Sequence, residues 1–174
     1  IQCDPAIIPA GVFANLPALS DVTIEFGAIP AHMFEGSGVT VLTLGAGVTE
    51  IGDSAFANTA LTSAEMQNVT AIGAGTFANT ALTSAEIQNV TAIGAGAFEG
   101  SALERVQLNA AASVGERAFA NTKLTKMVIP TAGSFPLSAV EGTSAELRLP
   151  ADATDEQLAA WNETLQRPWY DPML

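Results

Sequence analysis

Apolar and polar positions along this chain follow a pattern that returns at a fixed interval. Phe56, Phe77, Phe98 and Phe119 are successive steps of 21 residues, and the same step carries Ile51 to Ile72, Ile93 and Val114. Further columns run through Gly52, Gly73, Gly94 and Gly115, through Leu61, Leu82, Leu103 and Leu124, and through Met66, Ile87, Leu108 and Ile129. A repeat of roughly 20–29 residues with leucine-type positions at fixed offsets is the signature of a solenoid, whose units bury their apolar sides only against their neighbours.

The pattern extends upstream with small slips. Ile29, Phe34, Val39 and Leu44 precede their counterparts by 22 residues, the extra one being Gly47 in a Gly-Ala-Gly turn. Ile8, Pro9, Phe13, Leu19 and Ile24 form an earlier unit, and Ala145 to Pro150 reads as a last strand echoing Met127-Val128-Ile129-Pro130. This gives about seven coils of 21 residues, with degenerate terminal units of the kind that cap solenoids.

Within a unit such as Ala81 to Val90, the spacing of Leu82, Ala85 and Ile87 alternates as a short strand with one buried face does. Successive strands are expected side by side at roughly 4.8 Å, forming one continuous parallel sheet. Val69-Thr70-Ala71-Ile72 reads as a second extended piece, Gly73-Ala74-Gly75 as a turn, and Thr76-Phe77-Ala78 as a single helical turn. The Phe column predicts an internal stack of rings. Asn58, Asn79 and Asn121, sharing a column with Gly36 and Gly100, predict a backbone needing positive φ or a local side-chain cap. Ala64 and Ala85 face inward and imply tight packing there, opening later to Val106 and Met127.

Near Pro150 the repeat stops. Thr154-Asp155-Glu156-Gln157 fits a capping box, and Leu158, Trp161 and Leu165 share one face of the helix predicted to follow, which Pro168 ends. The expected organisation is a single domain, with residues 1–150 as solenoid and 151–174 as a C-terminal cap whose Trp161 and Trp169 cover the open end.

Charge changes the picture more than overall composition does. The formal net charge is −12, yet no Lys or Arg precedes Arg105: residues 1–104 hold ten acids beside His32, and residues 105–174 hold eight acids and all six bases. So acidic a chain argues against binding nucleic acid, which needs Lys and Arg to displace counterions from phosphates, and against an anionic membrane surface. The field instead keeps the chain soluble, or favours a cationic partner or calcium. No run reaches the length of a membrane span. The chain begins without Met or a signal-peptide pattern and reads as an excised or mature segment. The single cysteine, Cys3, excludes an internal disulfide framework and has no nearby His, so it reads as a buried or incidental thiol.

The unit V-T-x-I-G-x-x-A-F-A-N-T-x-L-T-S-x-x-I, as it stands in Val69 to Ile87, resembles the leucine-rich repeats of BspA-like bacterial surface proteins. The resemblance spans about residues 8–150, and the closing stretch Leu147 to Trp161 is similar to that family's usual ending. It implies a right-handed leucine-rich-repeat solenoid, export to the cell surface or beyond, and binding or adhesion without catalysis. The units here are slightly short for the family, and Ile-Pro or Leu-Pro after the strand occurs only late, at Ile129-Pro130 and Leu149-Pro150.

Catalytic chemistry is hard to assemble from these residues. His32 is the only histidine and sits in a turn segment whose equivalents are Ser54, Gly75 and Gly96, so it reads as an exposed turn residue. There is no H-E-x-x-H, C-x-x-C, phosphate-binding loop or dinucleotide fingerprint, and no calcium nonapeptide. Catalytic residues, cofactor and metal are all expected to be absent. Asn68-Val69-Thr70, Asn89-Val90-Thr91 and Asn162-Glu163-Thr164 match the glycosylation sequon, but the first two arise from the repeat itself.

Glu65 and Glu86 fall at the same outward strand position, roughly 5 Å apart at Cα by the strand spacing. A solvated pair on a polar face is the plain reading; a cation site or a raised pKa is the alternative. The outward positions together form a polar ribbon whose sign runs from acidic to basic. Glu65, Gln67, Glu86, Gln88, Arg105, Gln107, Lys126 and Arg148 are its candidate binding residues. Solenoid sheet faces are common binding surfaces, although this one lacks the Tyr and Trp of typical hot spots. The expected function is therefore non-enzymatic binding of a protein or glycan partner, such as a host-derived one, by a monomer on the bacterial surface or secreted. A polysaccharide-acting parallel β-helix enzyme and a purely structural spacer are the alternatives.

Overall fold

Alternation of buried and exposed side chains makes each coil's L-x-x-A-x-I segment extended. The computed structural model describes residues 8–108, 112–129, 135–148, 153–157 and 159. One wall of the molecule is built from β1 (Asp21–Phe26), β2 (Val41–Gly47), β4 (Ser63–Glu65), β6 (Ser84–Ile87), β8 (Arg105–Leu108), β10 (Lys126–Val128) and β11 (Glu146–Arg148). A second wall uses the return path: β3 (Glu50–Ile51), β5 (Ala71–Ile72), β7 (Ala92–Ile93) and β9 (Ser113–Val114). All pairings are parallel, and seven strands on the first wall are joined by six turns of a β-solenoid. This is the predicted architecture, with almost no helix.

The first wall departs from the single sheet expected. It consists of two ladders, β1-β2-β4 and β6-β8-β10-β11, whereas the second wall pairs β3-β5-β7-β9 without interruption. Strands β4 and β6 touch but form no ladder. Glu65 and Glu86 flank this seam, and like charges on facing strands weaken pairing.

A third wall is made of turns, and it too is hydrogen-bonded from coil to coil. The N–H groups of Ser54, Phe56 and Asn58 donate to the carbonyls of Ala74, Thr76 and Ala78 at 2.8, 2.9 and 2.9 Å. The residues between close local turns, as when Ala57 N–H donates to Ser54 O at 3.2 Å. Thr76-Phe77-Ala78 is therefore a run of tight turns and not the helical turn predicted. The reason is local: Gly75 at φ +61° and Asn79 at φ +55° bracket the segment, and such residues do not continue a right-handed helix.

Positive φ occupies two columns. The predicted one holds Asn15, Gly36, Asn58, Asn79, Gly100, Asn121 and Gly142. Where Asn follows Asn, Asn79 Nδ2 donates to Asn58 Oδ1 at 3.1 Å. Where Gly follows Asn, the amide oxygen occupies the place of a side chain: a Cβ on Gly100 would lie 2.5 Å from Asn79 Oδ1. The second column, Gly11, His32, Ser54, Gly75, Gly96 and Arg117, was not anticipated, and Gly27 stands outside both.

Inside, six phenylalanines from Phe13 to Phe119 stack face to face, neighbouring centroids 5.1–5.7 Å apart and rings within 7–21° of parallel. Phe56, Phe77, Phe98 and Phe119 are fully buried. A hydroxyl stands three residues after every ring but Phe13: Thr59, Thr80 and Thr122, for example, donate to the carbonyls of Phe56, Phe77 and Phe119 at 2.8, 2.9 and 2.8 Å. The Gly52 column is set by backbone proximity, since a Cβ on Gly115 would come within 2.5 Å of Ala95 N. Ala64 and Ala85 are buried as predicted, and Met127 takes the same inward place farther along. Two consecutive coils, residues 56–76 and 77–97, differ only at Met66/Ile87 and Thr76/Ala97.

The capping box forms: Gln157 N–H donates to Thr154 Oγ1 at 3.3 Å, and Thr154 N–H donates to Gln157 Oε1 at 3.0 Å. Asp155, Glu156, Gln157 and Ala159 are helical. Leu158, Trp161, Leu165, Pro168 and Trp169, and with them the proposed cover of the open end, lie outside the described residues, as do Cys3, Leu149-Pro150 and the sequon at Asn162.

Candidate binding face

Parallel pairing fixes which outward side chains become neighbours. Ser84, Arg105, Lys126 and Glu146 share one row across β6, β8, β10 and β11. Glu86 and Gln107 are partners in the next row, and Val128 and Arg148 are partners in its continuation. All of these side chains are exposed, and Val128 is the most exposed large apolar residue of the wall at 55%. An apolar group that open to water costs folding energy at this spot, unlike Val106 beside it, which points inward and is half-buried.

The outward surface of this four-strand ladder is concave, enclosing about 700 Å³ lined by Glu86, Arg105, Gln107, Lys126, Val128, Glu146 and Arg148 among others. Five of the eight candidate residues thus meet in one hollow. Glu65, Gln67 and Gln88 lie outside it, although Gln88 Nε2 reaches Gln107 Oε1 at 3.3 Å. Glu65 and Thr43 are partners on the other ladder, across the seam from Glu86. Gln67 contributes its backbone, accepting from Asn89 Nδ2 at 2.6 Å.

Electrostatically the hollow is mixed. Lys126 Nζ stands 3.7 Å from Glu146 Oε2, an exposed pair worth little in water. Arg105 and Arg148 have no ion-pair partner among the described residues, so both guanidinium forks are available. Glu146 was not among the predicted site residues. Its signal was present in the sequence, since the strand containing Arg148 places Glu146 on the same outward side two residues earlier.

On the turn wall, Arg117 bridges two carboxylates, Glu99 Oε1 at 2.6 Å and Glu141 Oε2. The hydrogen bond to Glu99, then the charges of Glu99 and Glu141, raise the Arg117 pKa above its ordinary value. The bridge spans three coils and holds Arg117 at φ +58°. Sequence reasoning missed it, because Arg117 stands in a column otherwise filled by His32, Ser54, Gly75 and Gly96. His32 is an exposed turn residue as predicted, with Nδ1 2.7 Å from Glu35 Oε2. Among the described residues no three His, Cys, Asp or Glu side chains converge to hold a metal ion, and no helix is long and apolar enough to cross a membrane.

The chain matches the family described as BspA type leucine-rich repeat region, in six copies covering residues 6–125. No curated protein and no solved structure matches it.

Proposed function

The chain belongs to the BspA-type leucine-rich-repeat family, and on that premise we propose that it is a non-enzymatic binding domain whose strand wall engages another macromolecule. The observation that carries this reading is the hollow on β6, β8, β10 and β11, where two guanidinium groups with no ion-pair partner among the described residues line the same surface as an exposed valine. A location on the bacterial cell surface or outside the cell, a protein partner such as a host-derived one, and action as a monomer belong to the same proposal.

Capture of candidate matrix proteins and glycans on immobilised protein tests it, followed by charge reversal at Glu65, Glu86, Arg105 and Lys126. The expected result is a partner whose affinity falls with the reversals. An affinity indifferent to all four would remove the strand wall as the contact surface. A spacer role has one observation in its favour, the nearly identical coils 56–76 and 77–97, which add length without adding a new surface. Retention of partner binding after one of these coils is deleted would separate the two readings.

A further inference from the structure

Resting on the binding role proposed for this wall, we infer that the hollow takes an extended acidic polypeptide segment with two carboxylates four residues apart. Three bases, Arg105, Lys126 and Arg148, and two acids, Glu86 and Glu146, line this open hollow of about 700 Å³ in a chain whose formal net charge is −12. Lys126 lies 3.7 Å from Glu146, whereas the two guanidiniums have no ion-pair partner among the described residues and are the recognition groups. A guanidinium fork matches a carboxylate through two parallel hydrogen bonds, a geometry that an ammonium cannot supply.

Spacing sets the ligand. Arg105 is on β8 and Arg148 on β11, with β10 between them, and they stand in rows two residues apart along the strand direction. Two strand spacings combined with a two-residue rise place their Cα atoms roughly 12 Å apart on the diagonal. An extended chain rises about 3.3 Å per residue and repeats its side chains on one face every second residue, so positions i and i+4 lie about 13 Å apart. Carboxylates at those positions reach both forks. The residue at i+2, on the same face, then lies over β10, where Val128 is 55% exposed, and an apolar side chain there covers it. A segment running this way crosses the strands obliquely and keeps clear of Glu65 beyond the seam.

A glycan is the weaker match. Sugar rings are commonly held by stacking on aromatic faces, whereas the hollow is lined by no aromatic residue and the stacked phenylalanines point inward.

The test is fluorescence anisotropy with the whole protein and a labelled 12-residue peptide carrying Glu-Ser-Val-Ser-Glu, beside a control with the second Glu moved one position. The expected result is saturable binding of the first peptide that weakens with added salt, and weaker binding of the control. R105Q and R148Q should each cost about tenfold in affinity, whereas E50Q, on the second wall, leaves it unchanged. Circular dichroism melts show that the variants are folded. Equal binding of both peptides, or binding indifferent to R105Q and R148Q, overturns the inference. A sulfated oligosaccharide that outcompetes the peptide in the same hollow also overturns it while leaving the wall as the contact surface. If a captured partner responds to charge reversal but no acidic peptide binds, only the present inference falls; if nothing responds to any change on the wall, the functional reading falls as well.

Discussion

The turn wall and the strand wall are two sides of the same coils, yet they are built on opposite terms. On the turn wall the phenylalanine, hydroxyl and positive-φ columns keep their chemistry from coil to coil, and hydrogen bonds join each coil to the next. On the strand wall the inward column stays apolar while the outward one changes sign, and the ladder is interrupted between β4 and β6. Constancy along the axis marks what holds the coils together, and variation marks the face on which the proposed contact would be made. A substitution on the turn wall should therefore be felt as lost stability, and one on the strand wall as altered contact.

The sharpest way to break this contrast is at the centre of the ring stack. Phe77→Ala removes a fully buried ring with neighbours on both sides. It should cost about 3–5 kcal/mol in urea unfolding, while Gln107→Ala on the strand wall should stay within about 0.5 kcal/mol. A Phe77→Ala cost as small as that of the surface change would erase the distinction. Next comes Gly115→Ala, which drives a methyl into the backbone at Ala95 and should destabilise by about 1–3 kcal/mol.

The strand wall offers smaller effects. Glu65→Gln removes one of the two like charges at the seam and should stabilise the fold by roughly 0.2–1 kcal/mol. Amide hydrogen exchange should also slow at Ser84–Ile87, the strand on the far side of the seam, if repulsion keeps β4 and β6 apart. Unchanged exchange would assign the interruption to backbone geometry alone. Smallest of all is Arg117→Gln, which breaks the bridge to Glu99 and Glu141 on an exposed flank. Because Glu99 and Glu141 raise its folded pKa, the stability contributed by the arginine is present around neutral pH and is lost in strongly alkaline solution. The variant's deficit in thermal unfolding should thus be flat around neutral pH and should shrink with added salt.

Most of the fold was legible because a repeat samples each structural position several times. Seven strands, the return strands, the ring stack and the Asn/Gly column of positive φ all followed from periodic apolar and small residues. Departures arose where one coil differs from the rest. Arg117 replaces the small or short residues of its column, so no periodic argument predicted a positive-φ arginine or its partners Glu99 and Glu141. The facing of Glu65 and Glu86 was readable, but the loss of the ladder between their strands was not. The tight turns at Thr76-Phe77-Ala78 were masked by helix-compatible residues, with the decisive glycines and asparagines lying just outside the segment. Of the candidate face, the polar ribbon was readable, but its curvature into a hollow centred on Val128 depends on the path of four strands together.

The near-identity of coils 56–76 and 77–97 has a consequence for how the chain reaches its native state. During folding, coil 98–118 meets two almost indistinguishable surfaces, since the segment that follows Phe56 and the one that follows Phe77 present nearly the same rows of side chains. Docking on the wrong one gains much of the native contact energy while looping out a whole coil, a trap of the sort that slows assembly of repetitive chains. Only Thr76 against Ala97 and Met66 against Ile87 tell the two apart. The buried Thr76 hydroxyl, held by the carbonyls of Gly52 and Gly73 at 3.1 and 2.8 Å, thereby becomes a mark of position in an otherwise self-similar stack.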